Sequence, residues 1–190
     1  MPEDADLDLA RAAHGGSREA FGELTLRHYP AVHRFLISLL ANPSDAEDLT
    51  QDTFIRAFAK IHSYRPGHPF RPWLFAIARR LAIAHWRRSR PTDPLDEQTP
   101  MPAVEDEACL HDAAVLWETA RCHLKAEEFS ALWFFYREDL PVRELAKVLG
   151  KTTTHTKVIL HRARKRLHES LTGELRDTVA LTPNAIQSPS

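Results

Sequence analysis

Apolar residues along this chain recur at intervals of three and four almost from end to end, the spacing that gathers them on one face of a helix. Phe21, Leu24, Tyr29, Val32, Phe35, Leu36, Leu39 and Leu40 predict an amphipathic helix over 20–40. Leu49, Phe54, Ile55, Phe58 and Ile61 predict a second over 49–61. Asn42-Pro43 separates the two, and Ser44 with Glu47 three positions on has the pattern of a capping box. The stretch YRPGHPFRP at 64–72 holds three prolines and a glycine, and is predicted to be a loop. In the run that follows, Trp73, Leu74, Ile77, Ala78 and Leu81 form one apolar stripe, while Arg79, Ile83, Trp86 and Arg90 fall opposite Ile77 at about 100° per residue. On this pattern Trp73 is a core residue and Trp86 stands on an open face among arginines.

From Pro91 to about Asp106, proline and acid replace the periodicity and predict an extended linker. Helical spacing resumes at 108–139. Over 140–171, Pro141 suits a helix start, Val142, Leu145, Ala146 and Leu149 line one face, and Gly150 ends the segment before a threonine-rich start of another. A short helix, a glycine turn and a longer helix predict a helix-turn-helix. Residues 151–168 carry six basic side chains and no acid, which points that second helix toward DNA. The prediction is an all-α chain of two small helical domains, 7–90 and 108–172. A flexible acidic linker, 91–107, joins them, and an unstructured tail occupies 177–190.

Charge sharpens this outline. The chain of 190 residues has a formal charge of only −1. Divided at 52, 92 and 118, however, it carries −6, +9, −8 and +4, and 53–92 contains no carboxylate at all. A solvated helix face mixes both signs, so such segregation points to partners of different charge at different places. Cys109 and Cys122 give no disulfide framework, and no signal-like or membrane-spanning apolar run is present, so a cytoplasmic protein without membrane insertion is expected. On one helix the two cysteines would stand about 220° and ~20 Å apart, too far to share a metal ion. No phosphate loop, nucleophile elbow or zinc-protease motif is found, so neither a catalytic residue nor a cofactor is expected.

Four segments in order, SREAFGELTLRHYPAVHRFL, DAEDLTQDTFIRAFAKI, FRPWLFAIARRLAIAHWRR and a helix-turn-helix ending LHRARKRL, together resemble a bacterial sigma factor of the extracytoplasmic-function (ECF) type. The resemblance covers about 7–90 and 108–172. It implies a transcription initiation factor that binds core RNA polymerase, meets promoter DNA in double- and single-stranded form, and is held in check by an anti-sigma factor. By resemblance, Asp45, Asp48, Gln51, Asp52, Thr53 and Phe54 dock on a polymerase coiled coil, the carboxylates being suited to arginine partners. Asp45, Glu47 and Asp48 equally complement the helix dipole, and Leu49, Phe54 and Phe58 equally suit a core.

The segment that matches the promoter-opening region supplies Arg65, Arg71, Arg79, Arg80, Arg87 and Arg88 for phosphates. It also supplies Tyr64, His68 and Trp86 for unstacked bases. Thr153, Thr154, His155, Lys157, Val158 and Arg162 are the corresponding candidates at the upstream, minus-35 element. Departures stand at Arg80 and Ala84, where asparagine and aspartate are frequent in the family, and at Val158 and Ile159, where a serine-arginine pair is common. Ile159 cannot make the bidentate guanine contact of an arginine, so a minus-35 readout that is unusual or leans on backbone contacts is expected. The linker acids Asp93, Asp96, Glu97, Glu105, Asp106 and Glu107 would lie in the polymerase cleft by the same resemblance, or serve as a solvated spacer. The competing possibility is an autonomous helix-turn-helix repressor that binds duplex DNA alone. That possibility leaves the acidic 45–52 patch and the carboxylate-free 53–92 block unexplained.

Overall fold

The computed structural model describes residues 2–89 and 113–180; residues 90–112, which include the whole acidic linker predicted at 91–107, and 181–190 lie outside the described residues. Among the described residues there are eight α-helices and no strand, as the periodicity predicts. The order is α1 (Pro2–His14), α2 (Arg18–Leu40), α3 (Pro43–Ala59), a 3-10 turn (Ile61–Ser63) and α4 (Phe70–Ser89). Then come α5 (Ala113–His123), α6 (Ala126–Leu132), a π turn (Trp133–Arg137), α7 (Val142–Leu149) and α8 (Thr153–Ala180).

Local chemistry explains most boundaries. Ser17 caps α2 by accepting from the Ala20 N–H at 3.1 Å, and Ala41 in the left-handed region ends it. The start of α3 differs from the capping box expected at Ser44. Asn42 is the cap, its Oδ1 accepting from the Asp45 N–H at 3.2 Å, and Pro43 occupies the first turn, where a missing N–H leaves nothing unsatisfied. Glu47 turns instead toward α2 and accepts from the Tyr29 hydroxyl at 2.5 Å. Pro72, expected in the loop, lies in the first turn of α4 for the same reason as Pro43. The predicted run 108–139 is broken at Leu124-Lys125, and α8 continues through Ala180, past the expected start of the tail at 177.

One apolar cluster runs through all these helices. Its centre is α4, which packs against α2 and α3 on one side and α7 on the other. Phe134 of the π turn bridges the two halves, its ring 4.5 Å from that of Phe35 and 4.8 Å from that of Phe75. This second covering corrects the open face expected on α4. Arg79 is buried, with Glu127 of the 113–180 half on the side that an isolated N-terminal bundle would leave in water, and Trp86 is half-buried against the cluster.

Candidate nucleic-acid interface

The acidic patch lies on α3. Asp45, Asp48 and Asp52 recur at helical spacing and share a face with Gln51, Ile55 and Phe58 at about 100° per residue. Asp48 and Gln51 are exposed. Asp45 is half-buried, its Oδ2 3.2 Å from Nε2 of His85 on α4, and Asp52 pairs loosely with Arg56 at 3.7 Å. Thr53 and Phe54 do not join them. The Thr53 hydroxyl donates to the Leu49 carbonyl at 2.6 Å, and Phe54 stacks on Tyr29 at 5.8 Å, so both are buried behind the face that they were expected to close. Behind the patch, Glu47 gathers Tyr29, Gln51 at 3.1 Å and His33 at 3.6 Å. The Tyr29 hydrogen bond holds the Glu47 carboxyl below its ordinary range and pushes the phenol up to about 12.

The helical pattern of α3 placed Ile55 and Phe58 with the core stripe. Instead Ile55 is 65% and Phe58 46% exposed, and Leu26 on α2 is 74% exposed. Phe58 keeps an edge contact with Phe21 at 5.1 Å. The α3 face is therefore acidic toward its start and apolar toward its end, a combination suited to a protein partner. The sequence carried the signal only as an excess of apolar residues around the whole helix.

A cavity of about 640 Å³ opens between the 64–69 loop, α4 and α7. Arg65, His68, Trp73 and Arg80 line one wall, and Glu144 and Lys147 of α7 line the other. Arg65 and Arg80 are exposed; Arg80 Nε donates to the Ala76 carbonyl at 2.9 Å, which leaves the rest of the guanidinium directed outward. Tyr64 also borders the cavity, but its side chain is buried and packs edge-on against Phe70 and Trp73. Its hydroxyl donates to the His68 carbonyl, and burial raises the phenol's pKa. The ring is thus a prop for the loop rather than the stacking surface expected, and Trp73, expected in the core, is the half-buried aromatic at the cavity. Arg88 is exposed on the last turns of α4, and the side chain of Arg87 lies outside the described ones.

Two expected phosphate ligands are engaged elsewhere. Arg71 donates to the Glu138 carboxylate and, at 3.1 Å, to the Glu138 carbonyl, with its guanidinium 5.6 Å from the Phe75 ring centre. Arg79 Nη2 lies 3.7 Å from Oε1 of Glu127.

The third candidate surface is the start of α8. Gly150 ends α7 at φ 66°, and the Thr152 hydroxyl accepts from the His155 N–H at 3.2 Å to cap α8. Thr153, Thr154, His155, Lys157, Val158 and Arg162 are all exposed, while Thr156, Ile159, Leu160 and Ala163 face the core. Ile159 is only 5% exposed, so this isoleucine packs into the core rather than toward a base edge. Arg162 is the guanidinium on the open face. A carboxylate of α6, Glu128, holds α8 in place through Arg166 at 2.5 Å. Among the described residues no group of three or more metal-binding side chains occurs, and no helix is long and apolar enough to cross a membrane.

Residues 24–92 match the family described as Sigma-70 region 2. The chain is 31% identical to the ECF RNA polymerase sigma factor SigM of Bacillus subtilis, with 72% of this chain and 85% of the relative covered. It is 31% identical to the RNA polymerase sigma factor CarQ of Myxococcus xanthus, with 87% and 96% covered. The solved structure of CnrH in complex with the cytosolic domain of CnrY superposes with a TM-score of 0.70 at 25% identity, covering 89% of this chain and 98% of that one. The sigma factor RpoE in complex with the anti-sigma factor NepR from Bartonella quintana gives 0.66 at 28% identity, covering 80% and 96%. With its helical order, its acidic α3 and its helix-turn-helix thus matched over most of their length, the chain belongs to the ECF RNA polymerase sigma factors.

Proposed function

We propose that this chain binds core RNA polymerase and directs it to promoters, working in the cytoplasm without catalysing a reaction itself. The exposed acidic and apolar residues of α3 dock on the polymerase, with Asp48, Gln51 and Asp52 as the polar contacts. Arg65, His68 and Arg80 around the cavity take the minus-10 region as its strands separate, and Thr153, Thr154, His155, Lys157, Val158 and Arg162 read the minus-35 duplex. The observation that carries this reading is the presence, in one chain of the family, of both an exposed acidic-apolar helix face and two cationic surfaces. A repressor needs only the last of these. An anti-sigma partner is supported by the neighbours solved in complexes, one of them with a named anti-sigma factor.

Reconstitution with purified core polymerase tests the assignment. Run-off transcription from a promoter library should give defined start sites with the full chain and lose them when Asp48 and Asp52 are both replaced by Asn. A chain that binds duplex DNA alone yet confers no start-site selection on core polymerase would refute it.

A further inference from the structure

The loop that carries Arg65 and His68 has a form that its own sequence dictates. In Arg65-Pro66-Gly67-His68 the His68 N–H donates to the Arg65 carbonyl at 3.2 Å, and Gly67 adopts φ 96°. Proline fixes a negative φ at the second position and glycine takes the positive φ at the third, which makes a type II turn. Its two ends are the two loop residues assigned to the minus-10 strand. Residues 65–68 are all exposed, so packing does not hold the turn in place. Hydrogen bonds from behind it do. The Tyr64 hydroxyl crosses the turn and donates to the His68 carbonyl, while the ring is buried edge-on against Phe70 at 5.7 Å and Trp73 at 5.5 Å. The Tyr64 N–H donates to the Ile61 carbonyl at 3.0 Å, and Nδ1 of His14, 47 positions earlier at the end of α1, lies 3.1 Å from the same oxygen. A carbonyl only accepts, so this contact places a proton on Nδ1, and the oxygen's two lone pairs serve both donors. Ile61 itself is buried, which makes it a fixed post between α1 and the turn.

We infer that His14 and Tyr64 are positioning residues for minus-10 recognition: acting through the Ile61 and His68 carbonyls, they set the turn so that Arg65 and His68 face the strand before it arrives. The inference rests on the assignment of Arg65 and His68 to the minus-10 region and adds the groups that aim them. Ordering a loop during binding lowers affinity, and a loop ordered beforehand avoids that loss. The Tyr64 hydroxyl is engaged by His68 and the His14 proton by Ile61, so neither group is a phosphate ligand. Removing either bond therefore weakens binding without removing a contact to DNA.

The test uses holoenzyme reconstituted from core polymerase and the full chain, titrated onto a forked fluorescent probe with a single-stranded minus-10 segment. His14→Leu keeps the bulk and loses the donor, whereas His14→Asn keeps an N–H close to the place of Nδ1–H. His14→Leu and Tyr64→Phe should each weaken binding about tenfold, and His14→Asn should restore it. Tyr64→Phe should keep the wild-type slope of log affinity against log salt, while Arg65→Ala lowers that slope by roughly one. In a chain that already carries Arg65→Ala and His68→Ala, adding Tyr64→Phe should have no further effect, because the hydroxyl acts only through those two residues. Should His14→Leu fail to fold, Tyr64→Phe decides alone, since it removes a single oxygen whose partner carbonyl belongs to an exposed residue and can turn to water. Wild-type affinity in Tyr64→Phe, a His14→Asn variant as weak as His14→Leu, or a Tyr64→Phe loss that persists in the double alanine chain would overturn the positioning role. If Arg65→Ala and His68→Ala themselves leave the affinity for the forked probe unchanged, the minus-10 assignment fails and the inference with it, so the two failures are distinguishable.

Discussion

Arg80 and His28 show how far one side chain's surroundings determine its task. Arg80 stands exposed at the cavity, tied to its own helix by a single bond to the Ala76 carbonyl. A cation so placed contributes through counterion release, whatever the base sequence. Arg80→Ala should therefore weaken holoenzyme binding on all promoters alike and reduce the slope of log affinity against log salt by roughly one, measured by titration at several salt concentrations. His28 is the opposite case. It is buried against Phe70 at 5.5 Å, and burial pushes its pKa below the ordinary 6.5 despite Asp6 at 2.9 Å. The unfolded chain takes up that proton more readily than the folded one, so the stability due to a neutral His28 is complete above 6.5 and is lost as the pH falls below it. Melting temperatures recorded between about pH 7 and about pH 5.5 should fall less steeply for His28→Gln than for the wild type. Equal slopes would mean that other groups carry the acid sensitivity.

At the level of elements, α7, the Gly150 turn and α8 were legible because each follows from a short-range rule. Gly150 adopts φ 66° with nothing within 4 Å of where a Cβ would stand, so Gly150→Ala meets only backbone strain. It should cost about 1 kcal/mol in denaturant unfolding, and the altered angle between α7 and α8 should weaken minus-35 binding more than minus-10 binding. The start of α3 was less legible. Ser44 and Glu47 satisfy the capping-box spacing, but Asn42 two positions earlier offers a cap with Pro43 behind it, and the Tyr29 hydroxyl gives Glu47 a better partner than a backbone N–H. Thr53, Phe54 and Tyr64 were misplaced for a related reason. A motif names residues that recur together without saying which of them are exposed contacts and which prop the contacts from behind. Spacing does fix the face of α3 that carries Asp48 and Asp52, and it separates buried Ile159 from exposed Arg162 once the direction of the core is known.

Across the whole molecule, what escaped sequence reasoning was the second neighbour of α4. Helical periodicity reports the strongest apolar stripe, and on α4 that stripe faces α2 and α3; the far side carries arginines and reads as solvent. Its partners, Phe134, Glu127 and Glu138, lie more than 35 residues further along the chain, beyond the acidic linker, where no local pattern can announce them. Because the cluster spans both halves, their stabilities are coupled, and heating should unfold the chain in one cooperative step. Phe134 is the test of that coupling. Removing its ring leaves a cavity against Phe35 and Phe75 at the seam itself, and Phe134→Ala should cost about 3–5 kcal/mol in a molecule that melts as a unit. The loss falls unequally, however, because α2, α3 and α4 retain their mutual packing while the π turn loses its anchor. Calorimetry should accordingly show the single wild-type transition separate into two, with the C-terminal half melting first. A variant that still melts in one transition, displaced but undivided, would show that the halves are joined mainly through contacts other than Phe134.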